Sequence, residues 1–342
     1  MRINCGCLDG GCGRNYSIDG YRMFLAFGIV LFHVCSAAGV VWPTNVLNFC
    51  VPAFAIITGY FGAGFRISKV IRLYATASMC LFVLLILRVC LGVGWRGADL
   101  SHWWFLHAYI IMIVLSPFVD ELFVRAICAD GVWKAIAAVI PLWIVVFGWG
   151  WLVGYNHLSA ALPVTNGLSG FSFLTLLGAY AVGRVIRTFD IEKRLPMKWI
   201  LCGCFITGSI VSLSGNFMAS YNNPLCMLLA ACTFILFARL KVPRVLCRIA
   251  AWFAPSMFAV YLLHLVVPVP GDGAARAFVV LCLKNMGNLL VVAAVVFMCS
   301  ILLDLPRRIM VLVSGKLLRM FCAWCDDVMD KFIRRIVKRC SA

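Results

Sequence analysis

Tyr21-Arg22-Met23-Phe24-Leu25-Ala26-Phe27-Gly28-Ile29-Val30-Leu31-Phe32-His33-Val34-Cys35-Ser36-Ala37-Ala38-Gly39-Val40-Val41 decides the fold. Apart from an arginine near its start and a histidine near its middle, this stretch carries nothing that water would charge at pH 7. At 1.5 Å per residue, a helix of about 20 apolar residues crosses a hydrocarbon core roughly 30 Å thick. Runs of the same kind recur as far as Ile301. The composition agrees: of 342 residues 64% are hydrophobic and 13% charged, and the mean hydropathy is +1.01. Soluble domains carry about 25% charged residues, and disorder needs low hydrophobicity, so both classes are excluded. The expected fold is all-α, a polytopic membrane helix bundle.

Breaks at Trp42-Pro43, Asn222-Asn223-Pro224 and Pro268 to Gly273, with glycine and charge from Gly62 to Arg66, divide the chain. About ten transmembrane helices are expected, at 21–41, 45–63, 70–94, 102–119, 133–154, 167–187, 198–214, 224–240, 250–268 and 286–303. The 30 Lys and Arg against 13 Asp and Glu give a net +17, which on a soluble protein would point to nucleic acid. Their placement says otherwise. Arg66/Lys69/Arg72, Arg125/Lys134, Arg184/Arg187/Lys193/Arg194/Lys198 and Arg239/Lys241/Arg244/Arg248 follow alternate spans, while the other loops hold only Arg96, Arg276 and Lys284. This positive-inside pattern puts both termini in the cytoplasm and makes the lipid bilayer, not nucleic acid, the partner of the surplus charge.

Three parts result: a polar N-terminal segment (1–17), a transmembrane domain (18–312) and a basic amphipathic C-terminal tail (313–342). Residues 1–20 are polar and glycine-rich and do not read as a secretory signal peptide. In the tail Leu317, Phe321, Trp324, Val328, Phe332 and Ile336 form a stripe opposite Arg319, Asp327, Arg334 and Arg335, as in a helix on the inner leaflet. Of the 18 cysteines many fall inside apolar spans, where cysteine behaves as a small hydrophobe. Cys5, Cys7 and Cys12 at one end and Cys322-x-x-Cys325 at the other do not make a tight four-ligand zinc pattern, so no metal is expected.

Ionisable groups inside a span are costly and mark function or a specific partner. Arg22 stands at the start of the first span and His33 eleven residues on, about three turns or roughly 16 Å deeper. His33 is either a catalytic group or a side chain bonded to a neighbouring helix's carbonyl. Val51-Pro52-Ala53-Phe54 to Thr58-Gly59-Tyr60 leads into Arg66, Lys69 and Arg72. Pro52 would free backbone groups, Thr58-Gly59 would let helices approach closely, and the three cations suit either an anionic cytoplasmic ligand or simple anchoring.

Together these blocks resemble acyltransferase family 3, integral membrane enzymes that include O-acetyltransferases of bacterial surface polysaccharides. The family's Arg, ten intervening residues and His are matched by Arg22 and His33. Its second-helix pattern, Val-Pro-x-Phe-x-x-x-Ser-Gly-Tyr before an arginine-rich loop, is matched with Thr58 in place of Ser. His102-Trp103-Trp104-Phe105-Leu106 is similar to its Trp-Phe-Leu segment, and Val260-Tyr261-Leu262-Leu263-His264 to its Tyr-Leu-x-His motif. A glutamate found after the tryptophan motif in many members is absent, with His107, Ala108 and Tyr109 in its place.

The resemblance implies transfer of an acyl group, usually acetyl, from cytoplasmic acyl-CoA to a hydroxyl of a surface polysaccharide or glycolipid, at a bacterial plasma membrane. Acyl-CoA would be a co-substrate, with no permanently bound cofactor. Arg66, Lys69 and Arg72 would hold its phosphates, and Arg22 would orient its arm. His33, with an ordinary pKa of about 6.5, would act as general base or as an acyl carrier, two roles the sequence does not separate. His264, Tyr261, His102 and Trp104 would meet the acceptor. His107 is a partner for His33 or a helix contact. The rival class is a transporter or flippase of a lipid-linked or amphiphilic substrate, which has no use for the Arg22–His33 spacing joined to the cationic loop.

Overall fold

The computed structural model describes residues 15–90, 103–130, 172–213, 221–241, 243–264 and 286–340. All regular structure among them is helical. Helix α1 (Tyr16–Ala37) begins where the Asn15 side chain accepts the N–H groups of Ser17 and Ile18 at 3.1 and 3.3 Å, and Gly39, at φ +73°, turns the chain into α2 (Val41–Leu47). Pro43 falls in the first turn of α2, where its missing N–H costs no helical bond. The same holds for Pro52, third residue of α3 (Cys50–Phe61). Pro52 nevertheless has no N–H to give the Asn48 carbonyl, and the helix is interrupted there, at Asn48–Phe49, inside the one apolar stretch Val41–Phe61.

The turn from Gly62 to Arg66 leads to α4 (Ile67–Cys90), followed by α5 (Trp104–Asp130) and α6 (Phe173–Thr188). Helices α3 and α6 touch backbone to backbone. A Cβ on Gly59 would stand 2.0 Å from the Tyr180 carbonyl oxygen, and one on Gly183 2.2 Å from that of Ile56. Gly59 thus gives the close approach its motif implies, in the small-residue manner of membrane helices. The short α7 (Ile191–Arg194), then α8 (Met197–Leu213) and α9 (Pro224–Arg239) follow.

The next crossing is broken. α10 (Arg244–Phe253) and α11 (Met257–Leu263) flank a 3-10 turn at Ala254–Ser256. Pro255 prevents a continuous helix there, and its carbonyl accepts Arg307 Nη2 at 2.9 Å. Arg307 is held by Asp304, whose side chain is fully buried (Nη2 to Oδ2 2.6 Å). These groups sit on α12 (Met286–Cys340), 55 residues and about 82 Å long. No break separates the expected last span, 286–303, from the expected tail helix. Pro306 removes only its own N–H, and one lost bond does not end a helix of this length. The apolar stripe from Leu317 to Phe332 is exposed on it.

Among the described residues six segments are long and apolar enough to cross a membrane: Tyr16–Ala37, Val41–Phe61, Ile67–Leu87, Trp104–Val124, Val245–Leu263 and Gly287–Val313. Helix α6, of 16 residues, is shorter than the run read from sequence, whereas α8 and α9, of 17 and 16 residues, match their runs to within a residue. Their polar flanks serve as caps: Ser172 accepts the N–H of Leu174, and Asn223 that of Leu225. The span expected at 133–154 lies outside the described residues.

Candidate active site

Helix α1 carries two of the chemically expressive side chains. Arg22 Nη1 donates to Asp19 Oδ1 at 3.1 Å, one turn back, and the Asp19 side chain is 6% exposed. That buried carboxylate fixes the guanidinium between two adjoining cavities of about 280 and 240 Å3. Both are lined by Arg22, Ile57, Thr58 and Tyr109. The Thr58 hydroxyl donates to the Phe54 carbonyl at 3.0 Å, as membrane threonines do within a helix, so its one proton is spent. The Tyr109 hydroxyl, 2.8 Å from Thr58 Oγ1, is then the donor of that bond.

Beyond this polar waist the larger cavity is walled by Ile29, Phe54, Phe105, Met257, Phe258 and Tyr261. Ile29 is one turn short of His33 on α1. The His33 ring centroid is 4.9 Å from that of His264, and His264 is 6.1 Å from Tyr261. His264 closes α11: its Nδ1 lies 2.8 Å from the Tyr261 oxygen and 3.1 Å from that of Val260. A ring nitrogen facing carbonyl oxygens must carry the hydrogen, which assigns the Nδ1-protonated form. Trp103 Nε1 donates to the Leu262 carbonyl at 3.1 Å and ties α11 to the start of α5.

Of the cations after α3, Lys69 lines the smaller cavity and its ammonium donates to the carbonyls of Ala63 and Gly64, the latter at 2.9 Å. Arg66 and Arg72 are exposed and bear on Asp326 of α12, whose Oδ1 accepts the Ser68 N–H at 2.9 Å. Burial alone would raise the Asp326 carboxyl. The Ser68 hydroxyl and N–H, with the charges of Arg66 and Arg72, outweigh it and hold the pKa below the ordinary aspartate value.

The structure thus brings Tyr261 and Arg22 to the wall of the larger cavity and Arg22 and Lys69 to that of the smaller, while His33 and His264 pack together beside Tyr261 without lining either. Trp104 is half-buried against Tyr221 (ring centroids 5.8 Å) and is not among the wall residues. His102 lies outside the described residues. His107 is exposed beside Tyr74 at 6.3 Å, so the imidazole beside His33 is that of His264, tilted 46° to it. Asp19, Tyr109, Asp304 and Asp326 were not singled out in the sequence. An i,i+3 search would have paired Asp19 with Arg22 and Asp304 with Arg307. Nothing local marks Tyr109 or Asp326, whose partners lie on other helices.

The family model for the acyltransferase domain of acyltransferase family 3 matches residues 15–305. The chain belongs to acyltransferase family 3. No curated protein and no solved structure matches it. As a member of this acyltransferase family with several membrane-crossing helices, it is a multi-pass membrane acyltransferase. The family match begins at the Asn15 cap of α1 and ends one residue before Pro306, so it takes in Arg22, His33, Lys69 and His264 and leaves out α12 beyond Leu305.

Proposed function

We propose that this acyltransferase moves an acetyl group from cytoplasmic acetyl-CoA to a hydroxyl of a surface polysaccharide or glycolipid at a bacterial plasma membrane. The proposal includes ten spans with both termini inside. The observation that carries it is the His33–His264 pair, 4.9 Å between rings, beyond a cavity whose other end holds Arg22. A transporter has no use for the Arg22–His33 spacing joined to the cationic loop of Arg66, Lys69 and Arg72.

On this reading the donor's phosphates meet Arg66, Lys69 and Arg72. Its arm passes Arg22 and the Thr58–Tyr109 waist, and its thioester reaches the end bounded by Tyr261. His33 takes the proton of the acceptor hydroxyl as that oxygen attacks the thioester carbonyl carbon. The C–S bond breaks, the new C–O ester bond remains, and the departing thiolate recovers the proton from the imidazolium. His264, held through Nδ1, steadies the ring beside it. Tyr261, Trp104 and His102 are the residues assigned to the acceptor, aromatic rings being a platform for sugars.

The test is ester-linked acetate on envelope glycans of cells expressing the wild-type chain, the His33→Ala chain or neither. Acetate is expected with the wild type alone. Equal acetate in all three, with both proteins shown to be inserted, would sink the assignment.

A further inference from the structure

The family match stops at residue 305, yet α12 runs to Cys340. Part of that added length returns to the donor side of the site. Cys322 is 1% exposed, and one turn later Asp326 accepts the N–H of Ser68 at 2.9 Å. Ser68 is the second residue of α4, so this N–H is one of those that a helix leaves without an internal partner. The positive end of the α4 dipole and the charges of Arg66 and Arg72 converge on the same carboxylate. Lys69, whose ammonium also feels Asp326, lines the smaller cavity. The adjacent Asp327 turns elsewhere and pairs with Lys331 of its own helix at 2.6 Å. A helix N-terminus flanked by arginines is a phosphate site in the making, and here a carboxylate of the same chain fills it.

We propose that α12 carries a built-in competitor: Asp326 occupies the anion position at the start of α4, and a phosphate of the acyl donor must displace it to bind. This rests on the assignment of Arg66, Lys69 and Arg72 to the donor's phosphates. The tail then raises the apparent Kd for the donor by a fixed factor. At low acyl-CoA the carboxylate keeps the position, and at high acyl-CoA the donor wins it and Asp326 gives up its contact with the start of α4.

Equilibrium binding to the full chain in lipid nanodiscs tests this, with acetyl-CoA and with S-acetylpantetheine, which has the same arm and thioester but no phosphate. Asp326→Asn keeps an oxygen for the Ser68 N–H and removes only the charge. The Kd for acetyl-CoA should fall about two- to fivefold, the range of one charge at a helix terminus, and that for S-acetylpantetheine should not move. An unchanged or raised acetyl-CoA Kd, or an equal fall for both compounds, overturns the proposal. Arg66→Ala separates the two levels of the argument. If it raises the acetyl-CoA Kd while Asp326→Asn does nothing, the phosphate site stands and the competitor does not. If Arg66→Ala also leaves the Kd unmoved, the phosphate site itself is lost, and the competitor with it.

Discussion

Gly59→Ala is the sharpest probe of how the site is held. The added Cβ would stand 2.0 Å from the Tyr180 carbonyl oxygen, 2.8 Å from its carbon and 3.0 Å from its Cα. Favourable contact between such atoms begins near 3.5 Å, so α3 and α6 must part by about 1.5 Å. Backbone cannot swing aside as a side chain can. Overpacking of this kind costs about 1–3 kcal/mol, and a rigid backbone neighbour puts Gly59 at the upper end. For a chain of this size that is roughly 5 °C in Tm. Thr58 is the adjacent residue, so the displacement also reaches its 2.8 Å contact with Tyr109, and acyl transfer should drop with Tm. Gly183→Ala strains the same seam, at 2.2 Å from Ile56 O. Once either alanine has parted the helices the second has less to do, so the double variant should lose less than the sum. The assay is thermal unfolding of the purified chain followed by tryptophan fluorescence, for both single variants and the double. An unshifted Tm for Gly59→Ala, or strict additivity with Gly183→Ala, would refute the backbone contact.

Other consequences are open to measurement. Thr58→Ser keeps the hydroxyl and should keep acyl transfer, whereas Thr58→Val removes the acceptor of the Tyr109 bond and should lower it roughly 5- to 100-fold, the worth of a buried partner lost; equal rates in the two variants would contradict the waist. Arg307→Ala leaves the buried Asp304 carboxylate and the Pro255 carbonyl without their shared donor, and should cost about 3 kcal/mol, read as a lower Tm that Asp304→Asn in the same chain partly restores. The pKa of Asp326 is lowered on folding, so its contact with Ser68 and the charges of Arg66, Lys69 and Arg72 contributes fully above the unfolded pKa of about 3.9 and is lost as pH falls through the folded value. Trp324 fluorescence should therefore hold steady from pH 8 to about 5 and change below about 4. In Asp326→Asn that acid transition should be missing.

The helical class was legible because the bilayer imposes one length and one polarity on every crossing, and Tyr21 to Val41 shows both. The ends of crossings were less so. Asn15 and Ser172 are spent as caps, which moves those boundaries by five and six residues, while Asn223 caps α9 at the expected start, and Pro255 cuts a run that hydropathy reads as whole. The continuity of α12 was not legible for the opposite reason: a charge pair at Asp304 and Arg307 reads as a boundary but is satisfied within the helix and by the Pro255 carbonyl. Within the site, Arg22 and His33 could be read because one helix fixes their spacing. The meeting of His33 with His264 could not, since it depends on how α1 and α11 pack, and the motif containing Tyr261 and His264 only marked the second ring as worth watching. Asp326 was invisible as a neighbour of Ser68, because nothing in 258 residues of separation records a contact.

Arg22 and His33 share one uninterrupted helix, and on the proposed mechanism this makes α1 a covalent gauge between the two ends of the reaction path. Lipids of different chain length can tilt such a rod or thin the bilayer around it, at a fraction of a kcal/mol per Å. They cannot alter the eleven-residue rise between guanidinium and imidazole. The reach demanded of the acyl donor is thus written in peptide bonds, and the enzyme carries its own measure of depth from one membrane to another.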